Sequence, residues 1–267
     1  MVNILRKTYQ SDLSNQEWQK VEQHIPKPKT NKGRKREHPF REIINGIFYI
    51  LRSGCQWRMI PHDFPPWSIV YHYFRLWRLK GIWEQMNAAL RTELRIADGR
   101  KPEPSAAIID SQSAKTTETR GVRGYDAGKK IKGRKRHILV DTMGLLLMVI
   151  VHAADIQDRD GAKLVLEKFI GKSSRLSLVW ADGGYAGKLI EWVKDKCGWV
   201  LEIVKRSDDV KGFQVLPRRW VVERTFGWFG RYRRLSKDYE GLTESSESII
   251  YATMTHLMVR RLSRKQT

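Results

Sequence analysis

Residues 218–231 read RRWVVERTFGWFGR, a proline-free stretch that directly follows Pro217. Its apolar residues recur at helical rather than alternating spacing, which predicts an amphipathic helix. The side chains predicted to face a core are Val221, Val222, Phe226, Trp228 and Phe229. Glu223 lies on the opposite side of that helix, with Gly227 one turn further along the same side. The stretch therefore predicts a packed helix that presents a single acid.

Glycines and arginines surround this acid. Gly227 and Gly230 each cost the helix about 1 kcal/mol relative to Ala, but they leave room beside the carboxylate of Glu223. Arginines around this open space indicate an anionic ligand, and phosphate is the usual one. The alternative is an ordinary surface ion pair of Glu223 with Arg219 or Arg224. The stretch alone does not separate the two interpretations.

The chain has a strong excess of positive charge. It contains 50 Lys and Arg against 29 Asp and Glu, a net charge of +21, and its pI is about 10.1. An excess of this size is typical of nucleic-acid-binding proteins, although ribosomal and anionic-membrane proteins share it. With 41% hydrophobic residues over 267 positions, the chain has material for one large domain or two ordinary ones.

Cysteine usage and apolar runs exclude several other classes. Cys55 and Cys197 lack any CxxC partner, so we expect neither a disulfide framework nor a zinc site. The seven His are scattered, and we assign them to the core or the surface. No apolar signal segment is present at the start, and the longest apolar run, Leu145 to Val151, is too short to span a bilayer. We therefore expect a soluble intracellular protein.

The first part of the chain is predicted to be helical. Ser14 and Glu17 form a capping-box pattern at the start of the first helix. Residues 26–36 hold six basic residues and two prolines, which predicts a loop or arm. The predicted helices cover residues 12–25, 39–53, 66–81 and 82–96. The last two carry the basic residues Arg75, Arg78 and Lys80 and fit a helix-turn-helix pattern, although most helical hairpins bind no DNA.

A stretch rich in glycine, proline and charge at 98–104 marks a domain boundary. Behind it, strands alternate with helices, and residues 120–136 hold eight Lys and Arg against one Asp. The predicted strands cover 106–110, 137–141, 145–152, 176–182 and 199–204. The other predicted helices cover 159–170, with Asp158 as N-cap, 186–197 and 244–262. We therefore divide the chain into a helical domain at 1–97, a linker at 98–105 and an α/β domain at 106–267.

Two more acids stand at the ends of predicted strands, Asp110 in IIDSQS and Asp182 in VWADGGY. Each could cap the turn that follows it. Functional groups in α/β sheets gather beyond the strand ends, so the two acids converge if their strands are neighbours. Together with Glu223 they would offer oxygen ligands without His or Cys, which suits Mg²⁺. Two such ions about 3.5–4 Å apart would serve phosphoryl transfer.

Four segments of the second half carry a resemblance to a known family: IIDSQS, WADGGYAG, RRWVVERTFGWFGRYRRLSKDYE and GYDAGKKIKGRKRHILVDTMG. The amino-terminal motifs LSNQEW, GCQWRMIP and YHYFRLW carry the same resemblance. They resemble the DDE transposases of the IS4/IS5 insertion-sequence group, and the IS5 type in particular. The resemblance implies an RNase H-like mixed-sheet catalytic domain, preceded by an all-α, helix-turn-helix-like domain that binds terminal inverted repeats. It implies that Asp110, Asp182 and Glu223 are the catalytic and metal-binding acids.

The same resemblance implies the cofactor and the partners. We expect two Mg²⁺ ions, with Mn²⁺ able to substitute, and double-stranded DNA as substrate, both as repeat ends and as target. Because joining requires two ends to be held together, we expect a homodimer. We also expect the protein to be cytoplasmic, and nucleoid-associated when it is bound to DNA.

The wider group carries a Tyr-x2-Arg-x3-Glu-x6-Lys signature that this chain matches in part. Arg219 and Glu223 agree with it, whereas Leu216 stands in place of Tyr and Gly230 in place of Lys. We expect Arg231, one residue later, to supply the missing charge. The departure affects the contacts to phosphate and leaves the three acids in place.

Nine basic residues are predicted to contact DNA: Lys130, Lys132, Arg134, Lys135, Arg136, Arg219, Arg231, Arg233 and Arg234. The predicted function is a transposase that cleaves DNA at element ends and joins the 3′-hydroxyls to target DNA. The alternatives are an inactive or repurposed relative that only binds DNA, which the intact acids disfavour, and a plain RNase H-like nuclease, which would need no helical region. The predicted division further implies that residues 1–97 bind DNA on their own.

Overall fold

The computed structural model describes residues 6–26, 37–118, 120–204 and 218–265. Its helices are α1 (Asn15–Glu22), α2 (Phe40–Ser53), α3 (Trp67–Leu79), α4 (Ile82–Ala97), α5 (Asp158–Phe169), α6 (Leu189–Cys197), α7 (Trp220–Phe229) and α8 (Thr243–Lys265). Its strands are β1 (Ala106–Lys115), β2 (Gly124–Asp126), β3 (Ile131–Asp141), β4 (Leu146–Ala153), β5 (Leu178–Ala181) and β6 (Val200–Ile203). Most of the predicted basic arm, residues 27–36, and Leu216 lie outside the described residues.

The six strands form one mixed sheet. Its order is β2-β3-β1-β5-β6, and β4 pairs with β3 as well. β3 runs antiparallel to β1, β2 and β4, whereas β5 runs parallel to both β1 and β6. An antiparallel hairpin followed by parallel strands with intervening helices confirms the expected RNase H-like α/β architecture.

Side-chain alternation gives the sheet two buried faces. On one face, residues such as Ala107 and Ile109 pack with α5 and α6. On the other face, Ile108 of β1 and Trp180 of β5 pack with α7, α8 and the amino-terminal helices. The sheet is therefore covered by helices on both sides.

α8 connects the helical region to the sheet. It packs against α1, α2, α3 and α4 and also against β4. Met254 and Met258 of α8 are fully buried in the same apolar cluster as Phe48 of α2 and Ile138 of β3. The predicted linker at 98–105 is a loop, but the regions before and after it share one continuous core. No helix among the described residues has the length and apolar character needed to cross a membrane.

Local signals fixed most helix ends correctly. Ser14 Oγ accepts from the N–H of Glu17, whose carboxylate accepts from the N–H of Ser14, so the predicted capping box is confirmed. Asp158 is the first residue of α5 rather than its cap, so that prediction is wrong. Its carboxylate instead accepts from Ser111 Oγ at 2.8 Å and pairs with Lys135 Nζ at 3.0 Å. These polar contacts with β1 and β3, and not helix capping, fix the position of the Asp158 side chain.

β1 and β3 are longer than predicted, and β2 was not predicted. β1 continues to Lys115 instead of ending at residue 110, and β3 begins at Ile131 instead of residue 137. The two strands pair without interruption from Ala107 opposite Asp141 to Lys115 opposite Gly133. The basic residues at 131–136 are therefore part of the central sheet, because their backbone is fixed by this long antiparallel pairing.

Candidate active site

Parallel pairing of β1 with β5 brings the first two acids together. Ile108 lies beside Trp180 in this register, and Asp110 and Asp182 each follow two residues later. Because side chains alternate along a strand, both acids lie on the same face as Ile108 and Trp180. That face is the one covered by α7. The condition set by the sequence, that the two strands are neighbours, is confirmed.

Each of these acids uses one oxygen locally and directs the other into the site. Asp110 Oδ1 accepts from the N–H of Ser111 at 2.7 Å. Asp182 Oδ1 accepts from the N–H of Gly184 at 2.8 Å and caps the short 3₁₀ turn Gly183–Tyr185. The capping interpretation is thus correct for one oxygen of Asp182. Oδ2 of each acid faces Arg219.

α7 brings the third acid to this place. Val222, Thr225 and Phe229 are buried, and Thr225 Oγ1 donates to the carbonyl of Gly144 at 2.8 Å, which fixes the helix on the β3–β4 turn. All five predicted apolar residues pack on the core, Phe226 among them although it is only half-buried, and the buried side also includes Thr225, which was not predicted. The Glu223 side chain is 52% exposed. A Cβ built on Gly227 meets no atom within 4 Å, so the space beside the acid is open.

All three acids converge on one guanidinium nitrogen. Arg219 Nη2 lies 3.8 Å from Asp110 Oδ2, 3.5 Å from Asp182 Oδ2 and 3.7 Å from Glu223 Oε1. The Arg219 side chain is 17% exposed and stands at the cap of α7. Residues from two strands and one helix therefore meet at a single point in the fold.

The electrostatics of the cluster disfavour its negative charge. Burial and the neighbouring charge of Asp182 raise the pKa of Asp110 from 3.8 to about 6, although the Ser111 N–H and the Arg219 charge act in the opposite direction. Desolvation disfavours the ionised carboxyl group, and a second carboxylate adds repulsion. The cluster therefore has room for more positive charge than Arg219 supplies.

A buried His–Tyr contact supports the site from the opposite face of the sheet. His137 Nε2 and the hydroxyl of Tyr185 are 2.8 Å apart, and His137 Nδ1 lies 3.4 Å from His152 Nε2. Burial lowers the pKa of His137 to about 3, so this imidazole is neutral. Tyr185 ends the turn that Asp182 begins, so this contact anchors that turn. The sequence analysis placed the His residues in the core or on the surface and did not find this role. No local sequence signal reveals it, because the contact depends on how the strands pair.

The donor set fits a divalent cation in type. Among the described residues, no three His, Cys, Asp or Glu side chains stand close enough together to hold a metal ion as they are. The three acids are nevertheless held around one positive group, Arg219, and carboxylate oxygens are the ligands that hard divalent cations prefer. A cation bound there would need the acids to draw closer and Arg219 to move.

Four of the nine residues predicted to contact DNA are buried. Arg134, Lys135, Arg136 and Arg234 are each 6% exposed or less. Arg134 pairs with Asp238 at 3.2 Å and donates to three backbone carbonyls, and Arg136 donates to the carbonyls of two residues after α7. Lys135 and Arg234 are also held in ion pairs. Direct contact with DNA does not fit these four positions, because their charged groups are already bonded inside the protein.

The exposed candidates remain on the surface, and two of them line a basic cleft. Lys130, Lys132, Arg231 and Arg233 are exposed. The cleft, of about 610 Å³, is lined by Glu118 and by five cationic side chains: Lys115, Arg123, Lys130, Lys132 and Lys237. None of the five forms an ion pair within the described ranges of the chain. Close to the cleft, Arg134 donates to the carbonyls of Val122 and Gly241, and Arg136 donates to the carbonyl of Lys237, one of the residues that line it.

The chain is similar to proteins of insertion sequences. A family profile described as "Transposase DDE domain" matches residues 101–258, and a profile for transposases of the IS4/5 family matches residues 13–87. An uncharacterized 16.2 kDa protein of insertion element IS402 from Burkholderia cepacia is 30% identical over 122 residues, which make up 43% of this chain and 74% of that protein. No solved structure matches the chain significantly.

Proposed function

Because the chain belongs to the DDE transposases of the IS4/5 family, which are metal-dependent polynucleotidyl transferases acting on DNA, we propose which steps it performs and with which residues. It binds the terminal inverted repeats of an insertion sequence and cleaves the DNA at the element ends. It then joins the freed 3′-hydroxyls to target DNA. Asp110, Asp182 and Glu223 are the catalytic acids.

One observation carries the assignment of these acids. Asp110, Asp182 and Glu223 come from three separate parts of the chain, and an oxygen of each lies within 4 Å of Arg219 Nη2. Chance surface acids have no reason to converge in this way, and the pairing of β1 with β5 holds Asp110 and Asp182 in place. The convergence supports a shared chemical role.

The three acids would hold the divalent cations. We assign two Mg²⁺ ions to the site, with Mn²⁺ able to substitute, because the donors are carboxylate oxygens. When bound, these ions supply stabilisation of the negative charge on the attacking and leaving oxygens of the phosphodiester. Ser111 and Gly184 orient Asp110 and Asp182 through backbone N–H groups. The open side of α7 at Gly227 gives the DNA backbone access to Glu223.

The basic surface would hold the DNA. The five cations that line the cleft, with Arg231 and Arg233, provide charge for a phosphate backbone without reading its sequence. Repeat recognition belongs to the helical region, where α3 exposes one face that includes Tyr71, His72 and Arg75. α4 is packed against α8 and is not available for a groove. Because two ends must be joined, the active complex is a homodimer.

Strand cleavage tests the proposal directly. Labelled duplex carrying the inverted repeats that flank the gene is incubated with the wild-type protein and with Glu223→Ala, in Mg²⁺ and in EDTA. We expect cleavage at the repeat end with Mg²⁺ only, and its loss in Glu223→Ala with DNA binding retained. Asp110→Ala and Asp182→Ala should behave in the same way. The matched control is Glu191→Ala, which removes an exposed acid of α6 on the other side of the sheet.

Two results would contradict the assignment. Cleavage by any of the three acid variants would remove that residue from the site. Specific binding without cleavage by the wild type in any divalent cation would instead favour the inactive, DNA-binding alternative.

A further inference from the structure

Arg219 is the positive group that holds the acid cluster together. Among the described residues, it is the only Lys or Arg within 4 Å of a carboxylate oxygen of Asp110, Asp182 or Glu223. Its neighbour Arg218 points elsewhere, pairing with Glu202 at 3.5 Å and lying over the ring of Trp180. One guanidinium thus faces three carboxylates.

A divalent cation and this guanidinium compete for the same oxygens. Metal ligation by oxygen requires distances near 2.0–2.6 Å, much shorter than those to Arg219. A guanidinium kept about 4 Å from the carboxylates would then face a doubly charged ion across a few ångströms, and such like charges repel strongly in a partly buried site. Arg219 must therefore leave the cluster when the ion enters.

The departing guanidinium has a natural destination in the substrate. Arginine binds phosphate with two parallel N–H donors, and its long side chain moves without a change in the backbone. Glu223 and the open surface at Gly227 lie one and two turns along α7 from Arg219, on the side where the DNA backbone would approach. A phosphate there competes with the acids for Arg219.

We propose that Arg219 is a positioning residue that occupies the acid cluster in the metal-free protein and passes to a DNA phosphate when the divalent cation binds. The inference rests on the proposed function, because it takes the three acids as the metal ligands. Metal and DNA then bind cooperatively. The metal ion frees Arg219 to bind a DNA phosphate, and a bound phosphate keeps Arg219 away from the carboxylates that the metal ion needs. Linkage requires the effect to be equal in both directions.

Direct metal binding tests this without any catalytic readout. Free Mn²⁺ is measured by electron paramagnetic resonance during titration of the DNA-free protein, for the wild type, Arg219→Gln, Arg218→Gln and Asp110→Ala. We expect Arg219→Gln to bind Mn²⁺ about tenfold more tightly than the wild type, within the range usual for coupled sites. Arg218→Gln removes the same charge from an exposed side chain outside the cluster and should change the affinity far less.

A second measurement uses the wild type alone. Mn²⁺ affinity is compared with and without a duplex carrying the repeat end, with strand cleavage followed on the same samples. We expect DNA to tighten Mn²⁺ binding by about the same factor of ten, and we expect this coupling to shrink in Arg219→Gln. Circular dichroism of each variant confirms folding.

The outcomes separate the inference from the proposed function. If Asp110→Ala binds Mn²⁺ as well as the wild type does, the acids are not the metal site and both proposals fail. If Asp110→Ala loses Mn²⁺ but Arg219→Gln binds no more tightly than the wild type, only the role of Arg219 is overturned. Absence of coupling to DNA in the wild type would overturn it equally, even if Arg219→Gln does not fold.

Discussion

The carboxyl group of Asp110 is placed where its negative charge destabilises the folded protein. Burial beside Asp182 raises its pKa to about 6, against 3.8 for the free group. The folded protein therefore binds this proton more tightly than the unfolded chain does. The carboxyl group does not oppose folding below about pH 4, and it opposes folding fully above about pH 6.

We predict that Asp110→Asn stabilises the metal-free protein while abolishing strand cleavage. The gain in the free energy of unfolding should be roughly 1–3 kcal/mol at pH 8 and smaller at pH 5, because one pKa unit corresponds to about 1.4 kcal/mol. Urea unfolding in EDTA at the two pH values measures it. Asp195→Asn, an exposed acid of α6, serves as control and should give no pH-dependent gain. Equal stability of Asp110→Asn and wild type at pH 8 would contradict the prediction.

At this scale the sequence predicted the acids but not their surroundings. Asp110 and Asp182 each follow a short apolar run, and that local signal was enough to predict that they converge. Asp182 does follow the end of β5, whereas Asp110 lies in the middle of β1, which continues to Lys115. Tyr185 and His137 are 48 positions apart, and their contact depends on the pairing of β1 with β3. A contact that depends on how distant strands pair cannot be predicted from the local sequence around either residue.

Among the elements, β3 differs most from its sequence pattern. Residues 131–136 are rich in Lys and Arg and resemble a solvated face, yet they continue the apolar run of residues 137–141 as one strand. Arg134 and Arg136 alternate with Lys135, so both arginines point to the α8 face. Most of their partners are backbone carbonyls and Asp238 about a hundred positions later, and Arg134 also donates to the carbonyl of Val122. Composition could not predict that these arginines are buried, because the groups that pair with their charges belong to other elements of the fold.

We predict that Arg134→Met lowers the free energy of unfolding by about 3–5 kcal/mol, because it leaves the buried carboxylate of Asp238 without the cation that pairs with it. Lys132→Gln, two residues away on the same strand but exposed, should change stability by less than about 0.5 kcal/mol. Chemical denaturation measures both. DNA binding should show the reverse order for the folded proteins, with Lys132→Gln reducing the slope of log affinity against log salt by about 1. An unchanged stability in Arg134→Met would return this residue to the DNA-binding set.

α7 offers a test of the space beside Glu223. We predict that Gly227→Ala raises the free energy of unfolding by up to about 1 kcal/mol, because a helix interior gains from Ala and the added Cβ meets nothing. Gly227→Phe should fold equally well but cleave DNA at least about tenfold more slowly, since its ring would fill the approach to the acid. Thermal unfolding and the labelled-strand assay provide the two readouts, with Gly227→Ala as the size control. Full activity of Gly227→Phe would show that DNA does not approach there.

At the scale of the whole molecule, the packing of α8 joins regions that the order of segments along the chain separates. The loop at 98–105 was predictable from its composition, but the shared core was not, because it depends on α8 packing against helices more than a hundred residues earlier. Trp83, Met86 and Leu90 of α4 are buried in that common cluster. Removing residues after 97 would expose them.

We therefore predict that the fragment 1–97 does not fold alone, contrary to the independent DNA-binding domain expected from the sequence. Circular dichroism should show low helicity and no cooperative thermal transition, with the full chain as reference. A matched fragment 106–267 should also fail, because β4 and α8 would lose the same partners. A cooperative transition in fragment 1–97 would restore the two-domain division.

The position of α8 also determines when the protein can become functional during synthesis. α8 (Thr243–Lys265) leaves the ribosome after every other described element. Until then, the apolar surfaces of α1, α2 and α4 that pack against α8 stay exposed. Exposed surface of this kind attracts chaperones and proteases. A translation product that stops before Thr243 would be degraded instead of persisting as a DNA-binding competitor.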